Sequence, residues 1–281
     1  HSNGRGLLHE DVASRANILS GDAKHSLLTM STVLRRDRPG CIGQDYFAYF
    51  ANPYNVTRTV VFAIADIAQE LYYAAQQRRR DVRPRIKRTL PYALVRSWAT
   101  VVQRDLQVAA IIGDLYAGRP VAYTTFLAYD EVAHHSGIER PGALSVLRKI
   151  DRQFARIEQA AKEAPRPYHL VVLSDHGQSQ GATFLERYGT SLEDVVREAC
   201  ATDSVHIDEG GSNEAAGYLG ASLTEAGSAD NVIGRTIRAA TKDKRVDGAV
   251  QLGEKSREKA ERLRQGAQED QLPELSVMAS G

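Results

Sequence analysis

The stretch Pro120-Val121-Ala122-Tyr123-Thr124-Thr125-Phe126-Leu127-Ala128-Tyr129, running into Asp130-Glu131-Val132-Ala133-His134-His135-Ser136-Gly137, decides the reading of the fold. Its uncharged, β-branched and aromatic first part reads as a strand buried on both faces of a parallel sheet. Residues 130–140 read as a polar loop. Pro141 suits a first helical position. Leu144, Leu147, Ile150, Phe154, Ile157 and Ala161 then mark the apolar face of a helix that ends near Ala164, before Pro165 and Pro167. Tyr168-His169-Leu170-Val171-Val172-Leu173 reads as a second uncharged strand, closing on Ser174-Asp175-His176-Gly177. Strand, loop, helix and strand make one right-handed parallel βαβ unit. The expected fold class is therefore α/β, a mostly parallel sheet sandwiched by helices.

Ligands and catalytic groups of open α/β sheets gather at the carboxyl ends of the strands. Both expected strands end in acid and histidine: Asp130 with His134, and Asp175 with His176. Neighbouring strands would place these ends roughly 5–10 Å apart, from a strand spacing of about 4.8 Å. Carboxylate and imidazole together suit Zn²⁺, Mn²⁺ or Fe, whereas Ca²⁺ and Mg²⁺ prefer oxygen alone. An Asp-x-x-x-His spacing can aim both side chains at one ion, and an Asp-His pair on a sharp turn can serve another. Two ions about 4 Å apart suit phosphoryl transfer, one for the attacking and one for the leaving oxygen. Taken singly, each motif is more often structural, since an Asp-His dipeptide is common and a strand-end Asp often only caps a helix. Their joint occurrence on consecutive strands favours a metal site. Glu131 and His135 read as surface or supporting residues. His169 sits at the wrong end of its strand, and His9, His25 and His206 lie in poorly defined loops.

Working outward, the 281 residues are 42% hydrophobic and 25% charged, which excludes disordered, collagen-like and coiled-coil classes. Lys plus Arg number 36 against 35 for Asp plus Glu, so overall charge gives no case for specific nucleic-acid binding. Two cysteines, Cys41 and Cys200, exclude a disulfide scaffold and a cysteine-built zinc site. No segment approaches the roughly 20 apolar residues that cross a bilayer. Residues 1–55 read as a loop-rich part of the α/β domain. Residues 56–117 read as a helical insert, with one helix over 56–80 (Thr57 as its cap; Val60, Ile64, Ile67, Leu71 and Ala75 as its apolar face) and another over 92–116. Residues 118–205 form the α/β core, and 206–281 a peripheral part. In the core, a helix starts near Ser191, with Asp194 completing a capping-box-like start. In the peripheral part, 210–213 read as a turn, 218–223 as a short strand, 229–240 as a helix and 254–264 as a charged helix or linker. The basic run 78–88 reads as a solvated helix end, or as a patch facing anionic lipid or phosphate.

Tyr129-Asp130-Glu131-Val132-Ala133-His134-His135-Ser136-Gly137, with the later Val171-Val172-Leu173-Ser174-Asp175-His176-Gly177, resembles the alkaline phosphatase superfamily. Within it the chain looks most like the type I phosphodiesterase/nucleotide pyrophosphatase branch, and especially like bacterial, actinobacterial membrane-associated members. Gly21-Asp22-Ala23-Lys24-His25-Ser26-Leu27-Leu28-Thr29-Met30 is also similar to these relatives. The resemblance implies hydrolysis of a phosphate ester with two divalent ions, zinc first and manganese second. Asp130 and His134 would bind one ion, Asp175 and His176 the other. It also implies a further strand-end Asp and a Thr or Ser nucleophile upstream, and a further His downstream.

The sequence departs from that pattern. No apolar strand ending in Asp is expected before residue 40, and Asp22 with Thr29 or Ser31 is a poor substitute because no strand precedes it. His206, the last histidine, is a weak match for the downstream ligand. Neither cysteine opens a Cys-x-Pro-x-Arg sequence, which disfavours the sulfatase branch. We therefore expect the central piece of such an enzyme, its nucleophile not identified. In the resembling family, insertions like 56–117 shape the substrate pocket, and full-length relatives are membrane-associated. An anionic membrane surface is accordingly an expected partner beside the phosphate-ester substrate. The competing reading is a non-catalytic metal-binding or scaffold domain that uses the helices of 56–117 for contacts. A metal-free serine hydrolase using Ser174 and His176 is disfavoured, because no Gly-x-Ser-x-Gly elbow precedes a helix.

Overall fold

A computed structural model describes residues 6–29, 49–82, 88–200, 205–210, 214–227, 232–246, 249–250 and 275–280. The architecture is α/β, built on a three-stranded sheet in which β1 (Ala13–Arg15) lies between β2 (His25–Leu27) and β3 (Ala122–Thr124). Both pairings are parallel, with Ala13 opposite His25 and Ala122. The segment expected to hold loops thus supplies the central strand. Its brevity and its Ser and Arg hide it from periodicity. Val12, Ala13 and Ser14 are fully buried. Arg15 is tolerated there because its Nε and Nη2 donate to both oxygens of Asp114, at 2.8 and 2.7 Å. Residues 16–24 suffice to bring the chain back into parallel register, turning at Ala16 (φ 55°) and Gly21 (φ 55°). A Cβ at Gly21 would stand 2.7 Å from the Leu8 Cβ, so this close approach requires glycine.

β3 is shorter than the expected strand over 120–129. Side chains take over where its ladder stops: Asn17 Nδ2 donates to the Tyr123 carbonyl at 2.9 Å and Gln107 Nε2 to that of Thr125 at 2.9 Å. The expected polar loop over 130–140 is instead largely a helix, α4 (Ala128–Ser136). Asp130 and Glu131 occupy its first turn and His134 and His135 its last, the order that suits the helix dipole. Ala128, Val132 and Ala133 bury against Ala143, Val146 and Ile150 of α5 (Pro141–Lys162). α5 begins at the proline, as the sequence predicts. Its buried face is centred on Ala143, Val146, Ile150, Ile157 and Ala160, and Leu147 is left 45% exposed.

The expected strand over 168–173 does not form. Leu170, Val171, Val172 and Leu173 are exposed, and the segment pairs with no strand among the described residues. Only Tyr168 is tied down, its hydroxyl donating to the Arg119 carbonyl at 2.7 Å. The parallel neighbours are therefore β1 and β3, not the two predicted strands. Helices intervene between them: α1 (Pro53–Arg79), α2 (Leu90–Ser97), a π-helical turn (Trp98–Gln103) and α3 (Arg104–Tyr116). α3 packs on both β1 and β3.

α1 holds the largest departure in packing. Asn52, not Thr57, caps it, accepting from the Tyr54 N–H at 3.0 Å, while the Thr57 hydroxyl turns back to the Pro53 carbonyl. The side chains it buries include Asp66 and Glu70, whereas Val60, Ile64 and Leu71 of the predicted apolar face are exposed. Arg96, fully buried on α2, and Arg88 meet Glu70, and Lys149 meets Asp66 at 2.8 Å. A paired network replaces the expected apolar contact.

Beyond Leu173, a short helix α6 (Phe184–Tyr188) is closed by a capping box of Thr183 and Glu186. α7 (Leu192–Cys200) starts as expected, with the Asp194 N–H donating to Ser191 Oγ at 3.0 Å. β4 (Val205–Gly210) pairs with β7 (Leu275–Ser280) in a separate parallel pair. Residues 218–223, predicted as a strand, lie within α8 (Glu214–Gly227). The predicted helix over 229–240 is α9 (Val232–Ala240). A small antiparallel pair joins β5 (Arg245–Val246) to β6 (Ala249–Val250). Of the predicted turn over 210–213, Gly210 ends β4 and the rest, with the predicted helix over 254–264, Cys41, Ser31 and part of the basic run (83–87), lies outside the described residues. No described helix is long and apolar enough to cross a membrane.

Candidate metal centre

The site lies beyond the carboxyl ends of β1 and β3, where an open parallel sheet presents its functional side chains. After β3, Phe126 and Leu127 carry the chain into α4, whose first turn holds Asp130. One turn on, His134 Nε2 stands 3.2 Å from Asp130 Oδ1. The pair is thus a helical i, i+4 contact rather than a strand-end and loop pair. Asp175 and His176 come from the irregular segment that replaces the second predicted strand. The His176 backbone N–H donates to Asp175 Oδ1 at 3.1 Å. Its ring crosses to the helix, with Nε2 3.6 Å from Asp130 Oδ1 and 3.8 Å from Asp175 Oδ1. The His134 and His176 rings lie 6.5 Å apart between centroids. All four predicted ligands are therefore neighbours, with Asp130 at the centre.

Burial alone would raise the Asp130 pKa. The hydrogen bond from His134 and the positive character of His134 and His176 outweigh it, holding the carboxyl below its ordinary value. Of the two readings open to Glu131 and His135, surface or supporting residues, the surface one does not hold. Glu131 is buried. His135 stacks on Tyr92 at 4.2 Å, and its Nδ1 lies 2.9 Å from the Glu131 carbonyl. Burial pushes the His135 pKa down. Both belong to the packing of α4 against α2. His206 falls on β4, and its side chain is outside the description.

A cavity of about 640 Å³ opens onto Asp130, Asp175 and His176. Leu7, Leu8, Ile18, Leu19, Phe126 and Leu127 give it an apolar wall. Two further lining residues, Asn17 and Thr125, escape sequence reading. Asn17 is buried, accepts from Thr125 Oγ1 at 2.7 Å and donates to Ser14 Oγ at 2.9 Å. This pair ties the end of β1 to the end of β3 and shapes the cavity floor. Recognising Ala13–Arg15 as a strand is the signal that would have pointed to Asn17. Thr29 is fully buried, its hydroxyl 3.4 Å from the Ser14 carbonyl, and does not line the cavity. A strand does precede Asp22, contrary to the expectation.

Carboxylates and imidazoles form the donor set that first-row divalent metals accept. The arrangement is not a closed shell: among the described residues, no group of three or more His, Cys, Asp or Glu side chains has the placement to hold an ion. The donors fit by chemistry, and each pair supplies two of the three protein ligands usual for a catalytic zinc.

No curated protein and no solved structure matches the chain significantly. The family model described as type I phosphodiesterase / nucleotide pyrophosphatase matches residues 49–279, a span that contains Asp130, His134, Asp175 and His176. It describes phosphoric ester hydrolases that are typically metal-dependent. With most of its length matched and an acid–histidine cluster beside a parallel sheet, the chain belongs to the type I phosphodiesterase / nucleotide pyrophosphatase family.

Proposed function

We propose that the chain carries the metal-dependent hydrolytic centre of a phosphodiesterase or phosphatase, with Asp130 and His134 as ligands of one divalent ion and Asp175 and His176 as ligands of a second. The mixed N and O donors favour zinc, with manganese as the alternative. When bound, such ions would supply Lewis acidity at the phosphoryl oxygens. The carrying observation is the approach of His176 Nε2 to within 3.6 Å of Asp130 Oδ1, which joins the two motifs at one point. Asp130, set at the start of a buried-face helix, would hold both halves in register. The apolar wall of Leu8, Phe126 and Leu127 would receive the organic part of the ester and exclude water from it. Asn17 and Thr125 would keep the floor of that cavity in place.

The second reading, a metal-binding or scaffold domain without catalysis, is favoured by one observation: among the described residues no three such side chains close on one ion. Calorimetric titration of zinc and manganese into wild type and Asp175→Ala, with a bis-nitrophenyl phosphate assay on the same samples, decides between them. Metal binding and hydrolysis, both lost in the variant, support the enzyme. Binding without hydrolysis supports the scaffold. A folded wild type that takes up neither metal overturns the site.

A further inference from the structure

A second cavity, of about 170 Å³, lies at the other end of α4, between Gln77 of α1 with Arg80 just past its end, Arg88, and Arg140 just before α5 with Gly142 in its first turn. Among the described residues, three arginines line it and no carboxylate does. We propose that this cavity binds a phosphate-type oxyanion, at a site separate from the candidate metal centre.

The charge argument holds when the surroundings are counted. Arg88 is buried and already committed, its Nη1 3.1 Å from Glu70 and its Nη2 donating to Gln77 Oε1 at 2.6 Å. The network behind it sets Asp66, Glu70 and the buried Glu131 against Arg88, Arg96 and Lys149, three carboxylates against three cations, so it balances itself and leaves the charges of Arg80 and Arg140 on the cavity. No ion pair among the described residues engages Arg80 or Arg140. Asp81, next in sequence, does not line the cavity. The start of α5 also faces it: no side chain caps that end, no acid sits in its first turn, and Pro141 and Gly142 are lining residues. The helix dipole there favours an anion. The carbonyl ends of α1 and α4 oppose this, and the Ser136 carbonyl is partly quenched by Gln77 Nε2 at 3.3 Å. Partial charges of about half a unit at helix ends do not outweigh the two full guanidinium charges of Arg80 and Arg140. Guanidinium forks match tetrahedral phosphate oxygens better than they match halide, which selects the ligand class. The volume admits a phosphate group with a few waters, at about 30 Å³ for each water.

α4 spans nine residues, so its two ends lie about 13 Å apart at 1.5 Å per residue. The two sites can therefore be separated by mutation. Inorganic phosphate is titrated calorimetrically, in EDTA, into wild type, Arg80→Gln/Arg140→Gln and Asp175→Asn/His176→Gln. We expect equal affinity in wild type and Asp175→Asn/His176→Gln, and a loss of about tenfold or more in the double arginine variant, the worth of one or two charge-assisted hydrogen bonds. Arg80 is exposed and Arg140 half-buried, so folding should survive. Circular dichroism checks this, and Arg140→Gln alone gives a smaller loss of the same sign. Absence of phosphate binding in wild type overturns the proposal, as does binding lost in Asp175→Asn/His176→Gln but kept in the arginine variant. Flotation with phosphatidylcholine vesicles, with and without phosphatidic acid, separates the sources of the phosphate. Uptake that depends on phosphatidic acid and on both arginines assigns a lipid headgroup. Phosphate binding without uptake assigns a soluble ligand.

Discussion

His176 reaches across from an irregular segment to place its Nε2 3.6 Å from Asp130 Oδ1 on α4, and Asp130 is at the same time 3.2 Å from His134 Nε2. One carboxylate is shared by two imidazoles that arrive from different parts of the chain. Asp130→Asn should therefore weaken zinc or manganese binding by about 10–100-fold or more, the range found for disturbing groups that orient metal ligands. His135→Ala, one residue beyond His134 but turned into the Tyr92 contact, should leave metal affinity within about twofold while lowering stability. Calorimetric metal titration of the two variants checks both statements, and equal losses would contradict the assignment.

The buried fork between Arg15 and Asp114 fixes the central strand to α3. Asp114→Ala strands a guanidinium in the core and should cost about 3–5 kcal/mol. Replacing both partners, as in Arg15→Met/Asp114→Leu, should recover much of that loss, because no uncompensated charge remains. Urea denaturation of single and double variants measures the difference. A double variant as unstable as the single one would show that the fork itself, not the orphaned charge, sets the cost.

Ile150 and Leu147 occupy equivalent places in the helical pattern of α5, yet Ile150 is buried with Val132 and Val146 while Leu147 is 45% exposed. Ile150→Ala should destabilise by about 2–5 kcal/mol, through lost burial and the cavity left behind. Leu147→Ala should stay within about 0.5 kcal/mol. Thermal or urea unfolding distinguishes them, and similar losses would place the packing seam differently.

The acid pair on α1 should respond to pH with opposite signs. Burial pushes the Asp66 pKa up, but Arg96 and Lys149, with hydrogen bonds from Lys149 and Thr100, outweigh it and hold the carboxyl low. Its contribution is therefore present above the ordinary aspartate pKa of about 3.9 and lost as pH falls through the depressed folded value. For Glu70 burial wins over Arg96 and Arg88, and its pKa is raised. That contribution is present below the ordinary glutamate pKa and lost as pH rises through the folded value. Acidification should thus destabilise Asp66→Asn less steeply than wild type, and Glu70→Gln more steeply. Unfolding free energy measured across mildly acidic pH for the three proteins tests the order of the slopes.

Helix α5 is legible from Pro141 and the breakers Pro165 and Pro167, and the start of α7 from Ser191 and Asp194, because caps and prolines act within a few residues of chain. The Asp130–His134 and Asp175–His176 motifs are legible as local spacings of ligand-type side chains. Asn17 and Thr125 are not, since neither residue type signals a site until β1 and β3 lie side by side. Glu131 and His135 read in sequence as surface or supporting residues, and only the tertiary structure shows that they pack against α2. Two strand readings, over 168–173 and 218–223, failed for a related reason. Apolar composition, β-branched at Val171 and Val172, states that a segment could pair, and hydrogen-bonding partners settle whether it does.

By itself, then, the sequence indicated the α/β class, the helices over 53–79, 141–162 and 232–240, and the acid–histidine motifs of ligand type, but not helix α4, which it read as a loop. The helices and the motifs follow from interactions between residues close in the chain; the parallel sheet itself is built from other strands than those the sequence suggested. Tertiary structure alone decided that Ala13–Arg15 is the central strand, and that α1 buries Asp66 and Glu70 while exposing Val60 and Ile64. It alone brought His176 to Asp130. The physical reason is common to the three. A strand needs a partner edge, a buried charge needs a counter-charge to offset its desolvation, and a shared carboxylate needs two distant segments at one point. Each condition is met by residues far away in sequence, which no local pattern records.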